Sequence, residues 1–241
     1  MEILAGGLAA SGACLFTNPL EVVKNRLQLQ GELKARGNYA QTYRGPFHGL
    51  YVLARTDGIL ALQSGLVPAC LYQLVMNGLR LGIYAELENK GCLTNKEGEV
   101  SLSRSLGCSV ISGVIGGFVG SPIFLVKTQL QTSSSSQISV GTQHNHENML
   151  SAFRTIYNDG GIRGLWQGAS SSIPRISIGS AAQLVTYSYT QEKLDRLGWG
   201  KKGSWQNNLV GAFLSGFVIS VVINPFDVIS TRLYNQPRTN R

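Results

Sequence analysis

The sequence predicts an all-α membrane protein built from tandem repeats, each made of two transmembrane helices with a short surface helix between them. Three observations carry that prediction. Charged residues make up 14% of the 241-residue chain, against roughly 25% in soluble domains. Five uncharged stretches, 3–20, 58–79, 105–126, 176–191 and 206–226, match or approach the 17 to 25 residues that cross a bilayer core as a helix. Finally, Pro19, Pro122 and Pro225 follow one another at intervals of 103 residues, each near the end of an apolar run. The mean hydropathy of +0.04 is modest because long polar connections dilute the apolar runs.

The first helix runs from about Ile3 past Pro19 to about Leu29, with Gly6, Gly7, Ala10 and Gly12 as small packing residues of the kind that let helices approach closely in lipid. A proline inside such a helix removes one backbone hydrogen bond and crowds the preceding turn, at roughly 3 kcal/mol. In a membrane bundle, neighbouring helices and polar side chains can satisfy the freed carbonyl. Three prolines in register therefore predict three kinked helices. A Gly37-Asn38 turn signal and an amphipathic segment from Pro46 to Thr56 follow, the latter with Phe47, Leu50, Leu53 and Ala54 at helical spacing.

The stretch Gly58-Ile59-Leu60-Ala61-Leu62-Gln63-Ser64-Gly65 has a counterpart 103 residues on, in which Gly161, Ile162, Leu165 and Gly168 repeat Gly58, Ile59, Leu62 and Gly65. The second helix is expected to start after Gly65 and to end near Tyr84, whose counterpart is Tyr187. The second repeat carries a Ser133–Ser136 tract and His144-Asn145-His146 in its loop, read as a solvated loop because no third metal ligand accompanies the histidines. A third repeat opens at Trp205 and contains one helix.

The formal net charge is +8, yet no basic stripe interleaved with aromatics appears, so nucleic acid is not an expected partner. The bases instead lie between apolar runs. Segment 21–57 holds six bases against three acids and segment 85–104 three against four, the asymmetry that orients a membrane protein. Cys14, Cys70, Cys92 and Cys108 lack ligand spacing and read as small buried apolar residues. No nucleophile with a base, metal cluster or phosphate loop occurs, which argues against an enzyme and against any cofactor. Met1-Glu2-Ile3 lacks the basic start of a secretory signal.

After each proline comes a code: Pro19-Leu20-Glu21-Val22-Val23-Lys24-Asn25-Arg26, then Pro122 with Lys127, then Pro225 with Asp227 and Arg232. With the downstream glycine motif, this resembles the mitochondrial carrier family, whose members have three tandem repeats and six transmembrane helices. The stretches from Asn18 to Lys24 and from Thr231 to Pro237 resemble its subgroup related to the fungal oxaloacetate carrier. The resemblance implies repeats over 1–97 and 98–200 and a partial third over 201–241, five of the six transmembrane helices, a short matrix helix in each complete repeat, and an inner-membrane location in mitochondria. It further implies a matrix gate in which Glu21 pairs with Lys127 and Asp227 with Lys24. The third pair falls on Phe124 and Ser230 and is uncharged. Gln28 and Gln131 take the positions of the family's bracing glutamines, and Tyr234 replaces the third. On the opposite side Tyr84 and Tyr187 stand without the family's acid–base pairs.

Seven residues beyond the signature glycines lie the family's contact positions, Tyr72 with Gln73 and Arg175 with Ile176. Arg80 follows Tyr72 at helical spacing in an otherwise uncharged helix, where a charge must face water, a partner or a ligand. Two guanidinium groups can each hold a carboxylate or sulfate through parallel hydrogen bonds, with Tyr72, Gln73, Asn77 and Gln183 completing the shell. The expected function is transport of a small anionic metabolite, an oxoacid or dicarboxylate such as oxaloacetate or else sulfate, by alternating access. The expected partners are that metabolite and membrane lipid, cardiolipin included. The oligomeric state stays open. The alternative is a C-terminally truncated, non-transporting form that acts as a fragment or as an interaction subunit of another carrier.

Overall fold

A computed structural model describes residues 2–31, 42–93, 101–135, 137–144, 146–198 and 204–236, with the backbone path alone for 2–9. The Gly37-Asn38 turn, Asn145 and Ser136 lie outside the described residues. The elements are α1 (Glu2–Leu29), α2 (Pro46–Thr56), a 3-10 turn (Ile59–Gln63), α3 (Leu66–Asn89), α4 (Leu102–Thr132), α5 (Met149–Leu165), α6 (Ala169–Arg196) and α7 (Trp205–Asn235). The described residues are thus all-helical. Pro19, Pro122 and Pro225 sit inside α1, α4 and α7, at matching positions.

The long helices follow one another around a ring: α1 packs on α3, α3 on α4, α4 on α6 and α6 on α7, and the contact of α7 with α1 is the slightest. Glycines on α4 bring its neighbours close. A methyl group on Gly117 would meet Ile176 at 2.3 Å, and one on Gly116 would meet the Met76 carbonyl at 3.2 Å, the close small-residue packing that membrane helices use. Many large apolar side chains point away from the ring, Phe16, Phe118, Phe213 and Phe217 among them. Among the described residues three segments, Ile59–Asn89, Leu102–Thr132 and Trp205–Asn235, are long and apolar enough to cross a membrane on length and composition.

Two glycines start the second long helix of each pair. Gly65 and Gly168 occupy the N-cap positions of α3 and α6 with φ of 66° and 79°, a left-handed conformation open to glycine and costly for other residues. Both also lie against the helix that follows or closes the ring. A methyl group on Gly65 would approach Gln131 to 2.9 Å, and one on Gly168 would approach Tyr234 to 3.1 Å.

The surface helix α2 buries Gly49 and Leu53, and Leu53 joins Val22, Val23, Leu29, Tyr43, Ile138 and Val140 in a cluster at the end of α1. The equivalent cluster one repeat later gathers Leu125, Val126, Leu130, Ala152, Ile156 and Tyr234 around α5.

Three expectations need correction. Helix α3 runs to Asn89 rather than ending near Tyr84, since Ala85 to Glu88 are good helix formers and the first breaker is Gly91. Cys92 is exposed just past that turn, whereas Cys14 and Cys108 are buried and Cys70 is partly so. The loop histidines are docked rather than solvated. His144 Nε2 bonds the Asn235 carbonyl at 3.0 Å, His146 Nε2 bonds Gln129 Oε1 at 3.1 Å, and the two rings stack 6.0 Å apart.

Candidate functional site

Beyond the prolines, α1, α4 and α7 converge and bring their charged residues together. Two residues after Pro19, Glu21 reaches Lys127 on α4, with Lys127 Nζ 2.7 Å from Glu21 Oε2. On the other side of α1, Lys24 Nζ lies 2.5 Å from Asp227 Oδ2 of α7. The two pairs differ in setting. Lys127 is 6% exposed, whereas Lys24 is 52% exposed, so only the first has little water around its cation.

Asp227 has a second partner that the spacing of the repeats does not announce. Arg175 Nη1 of α6 lies 3.4 Å from Asp227 Oδ1. One carboxylate thus joins α1, α6 and α7, and the contact position predicted for a ligand is engaged by Asp227.

Phe124 and Ser230 make no ion pair, yet Phe124 is electrostatically active. Its ring lies 5.3 Å from the Arg175 guanidinium and 5.9 Å from Lys127 Nζ, within range for attraction between a cation and an aromatic face. Tyr72 packs on Phe124 at 5.0 Å and lies 5.7 Å from Lys127 Nζ, and Tyr234 meets the same Phe124 ring edge-on at 4.9 Å. Ser230 instead donates to the Ser171 carbonyl at 3.3 Å.

The bracing positions make amide contacts. Gln131 Nε2 donates to Asn18 Oδ1 at 2.8 Å and Gln131 Oε1 accepts from Asn25 at 2.6 Å. Gln28 Oε1 accepts from Thr231 at 2.9 Å, and its carbonyl accepts from Arg232. The Tyr234 hydroxyl lies 2.9 Å from Ser121 Oγ and 2.7 Å from Ser172 Oγ. Sequence reasoning missed the fully buried Arg26, which donates to the Gln131 and Ser133 carbonyls and pairs with Asp57 at 3.4 Å. Its signal was the second base of the first code together with the acid before Gly58.

Beside the ion pairs of Glu21 and Asp227 is a cavity of about 300 Å³ lined by Tyr72, Gln73, Arg80, Arg175, Ile176 and Gln183, with Glu21, Lys24, Lys127 and Asp227 also on its wall. Gln28 reaches this cavity, whereas Gln131 does not line it. Ile176 is shared, since it also packs against Gly113 and Gly117 of α4. Arg80 has no hydrogen bond or ion pair among the described residues. A second cavity of about 470 Å³ meets the first at Asn77, Arg80, Ser180 and Gln183, and Tyr84 and Tyr187 line its outer part. There the Tyr187 hydroxyl donates to Asn208 at 3.1 Å and Gln191 to the Asn207 carbonyl at 3.0 Å. The end of the bundle near Glu21 and Asp227 is thus laced by ion pairs and the end near Tyr84 and Tyr187 by neutral contacts. Among the described residues no group of three or more metal-ligating side chains is present.

The mitochondrial carrier protein family model matches residues 1–91 and 98–197. Over its full length the chain is 48% identical to solute carrier family 25 member 35 of Mus musculus and covers 80% of that protein. It is 41% identical to mitochondrial citrate transporter E of Aspergillus niger, with 97% of this chain and 75% of that one aligned. It is 40% identical to the mitochondrial oxaloacetate transport protein of Saccharomyces cerevisiae, with 98% and 73% aligned.

Proposed function

We propose that the cavity carries a small dianion, on the premise that the chain belongs to the mitochondrial carrier family and is therefore a multi-pass transport protein of the inner mitochondrial membrane, not an enzyme. In this reading α1, α3, α4, α6 and α7 are five transmembrane helices of a six-helix plan, and α2 and α5 are its matrix helices. Residues 1–97 and 98–200 are two repeats and 201–241 belong to a third.

The observation that carries the reading is the charge on the wall. Lys24, Arg80, Lys127 and Arg175 face the first cavity with Glu21 and Asp227, a net charge of +2. A dicarboxylate oxoacid neutralises that charge. A trianion overshoots it by one, and uncompensated charge in a low-dielectric site is costly. The relatives named for oxaloacetate and for citrate transport bracket this choice, and the wall favours the dianion.

Transport then follows from competition for Arg175. A dianion entering past Tyr84 and Tyr187 meets Arg80 first, because Arg80 borders both cavities and has no ion-pair partner among the described residues. Its second carboxylate binds Arg175, taking the guanidinium from Asp227 and leaving that acid to Lys24 alone. The gate loses one of its three ionic contacts, and opening to the matrix becomes easier. Tyr72, Gln73 and Gln183 bond the oxygens that the arginines leave free, and Ile176 shapes the wall. Gln28 and Gln131 hold the gate helices from the side.

Uptake of labelled oxaloacetate, malate, sulfate and citrate into proteoliposomes tests this. Arg80→Gln should raise KM by about 10- to 100-fold, the size of a lost hydrogen bond to a charged group. Arg175→Ala should abolish uptake. Citrate transported in preference to the dianions, or uptake unaffected by Arg175→Ala, would refute it.

A further inference from the structure

Each kink proline leaves the carbonyl four residues before it without its helical donor. In α1 that carbonyl belongs to Leu15 and in α4 to Phe118. Both are capped, and by the same position of the repeat. Gln63 Nε2 donates to the Leu15 carbonyl at 3.1 Å, and Trp166 Nε1 donates to the Phe118 carbonyl at 2.9 Å. Residues 63 and 166 are 103 apart, and each stands two residues before the N-cap glycine of the next long helix.

The two donors share little else. One is a flexible amide and the other a rigid indole, so volume and aromaticity are not what the position preserves. What they have in common is an N–H at the reach needed to meet a freed carbonyl. The Gln63 amide is also held in the required sense, because Asn18 Nδ2 donates to Gln63 Oε1 at 3.2 Å and so leaves Nε2 to face Leu15. The same Asn18 accepts from Gln131 of α4 at 2.8 Å. A line of amides thus runs from the kink of α1 to the flank of the gate.

We infer that Gln63 and Trp166 are positioning residues that set the kinks of α1 and α4, and through them the placement of Glu21 and Lys127. They touch neither cavity charge directly. Glu21 is two residues beyond Pro19 and Lys127 five beyond Pro122, so a change of kink angle swings both ends of that ion pair. Tying the kink to the residues that launch α3 and α6 also couples the two helices of each pair, so that one bends only as the other shifts. Any movement that straightens α1 or α4 must stretch these bonds, and the bonds therefore bias the chain toward the closed gate.

The link to transport rests on the proposed function, and the test separates the two. Trp166→Phe deletes the donor and keeps a ring to pack on Phe118, whose centroid is 5.8 Å from that of the indole. Trp166→Gln installs the donor of the other repeat, and Gln63→Leu and Gln63→Trp do the same for α1. Two readouts are taken in proteoliposomes: the KM and kcat of dianion uptake, and the rate at which a permeant maleimide labels Cys14, followed by mass spectrometry. Cys14 is 1% exposed and adjoins Leu15. Gln63→Leu should speed Cys14 labelling, and Trp166→Phe should change kcat at nearly constant KM, each by about two- to tenfold, the size of one neutral hydrogen bond. Gln63→Trp and Trp166→Gln should return both readouts to within about twofold of the parent. Activity kept in Trp166→Phe but lost in Trp166→Gln would assign the position to ring packing and overturn the inference. So would Cys14 labelling indifferent to Gln63→Leu. If the parent chain moves no dianion, the function fails while the Cys14 measurement still decides the role of Gln63.

Discussion

Replacing Lys127 with Met leaves Glu21 without its cation. The two charges are 2.7 Å apart, and their exposures are 6% for Lys127 and 30% for Glu21. Breaking a buried ion pair by removing one member costs about 3 to 5 kcal/mol, because the survivor is left uncompensated. Glu21 reaches some water through its exposed third, which lowers the expected loss to about 2 to 4 kcal/mol. For a chain of this size each kcal/mol moves the melting temperature by about 2 to 4 °C. Lys127→Met should therefore melt roughly 5 to 15 °C below the parent. Pairing it with Glu21→Gln removes the stranded charge and should regain most of the loss, since a neutral pair of similar volume is often as stable as the ion pair. The assay is thermal unfolding in lipid-containing detergent with a thiol-reactive dye, which reads the release of buried Cys14 and Cys108. Equal stability of parent and Lys127→Met, or a double variant that loses the sum of the two single losses, would refute the reasoning.

Two further outcomes follow. Tyr234→Phe keeps the ring on Phe124 but strips Ser121 and Ser172 of a common partner in a buried setting. It should cost about 1 to 3 kcal/mol in the same melting assay, with part regained when both serines are changed to alanine. The imidazole of His146 is pushed below its ordinary value of 6.5 by burial first and by neighbouring His144 second, with Asp159 opposing. The folded chain thus disfavours the protonated ring. The stabilisation is complete above the unfolded value of about 6.5 and is lost as pH falls below it. Limited proteolysis of the segment around His144 and His146 should accelerate between about pH 7.5 and pH 5.5, and His146→Gln should flatten that response.

The framework is legible in the chain because backbone exceptions are written in residue type. A proline inside an apolar run and a glycine where φ is positive have few substitutes, so Pro19, Pro122, Gly65 and Gly168 mark kinks and helix starts without any side-chain contact being known. The ion pairs Glu21–Lys127 and Lys24–Asp227 are implied by the likeness of the proline codes to the mitochondrial carriers, and the structure places both within bonding distance. Arg175 escapes that logic. Its partner Asp227 already has a cation in Lys24, and a carboxylate shared by two cations depends on how α6 and α7 pack. The histidines mislead for a similar reason. A polar loop looks solvated until the ends of α4 and α7 offer it a carbonyl and an amide, and nothing in their local sequence announces those acceptors. The missed α3 terminus reflects a tyrosine taken as an end marker where the following residues still favour helix.

The Gln131–Asn18 and Tyr234–Ser121 bonds each span 113 residues of sequence. Asn18 and Ser121 are buried on their own helices; Asn18 also donates to the Leu62 and Ser64 carbonyls and to Gln63 Oε1 within its own repeat, whereas Ser121 finds its partner in the Tyr234 hydroxyl. In hydrocarbon such a group costs several kcal/mol until satisfied. Both bonds therefore work as rivets between repeats: α1 is pinned to α4 and α4 to α7, so a disturbance at one kinked helix is handed on to the next.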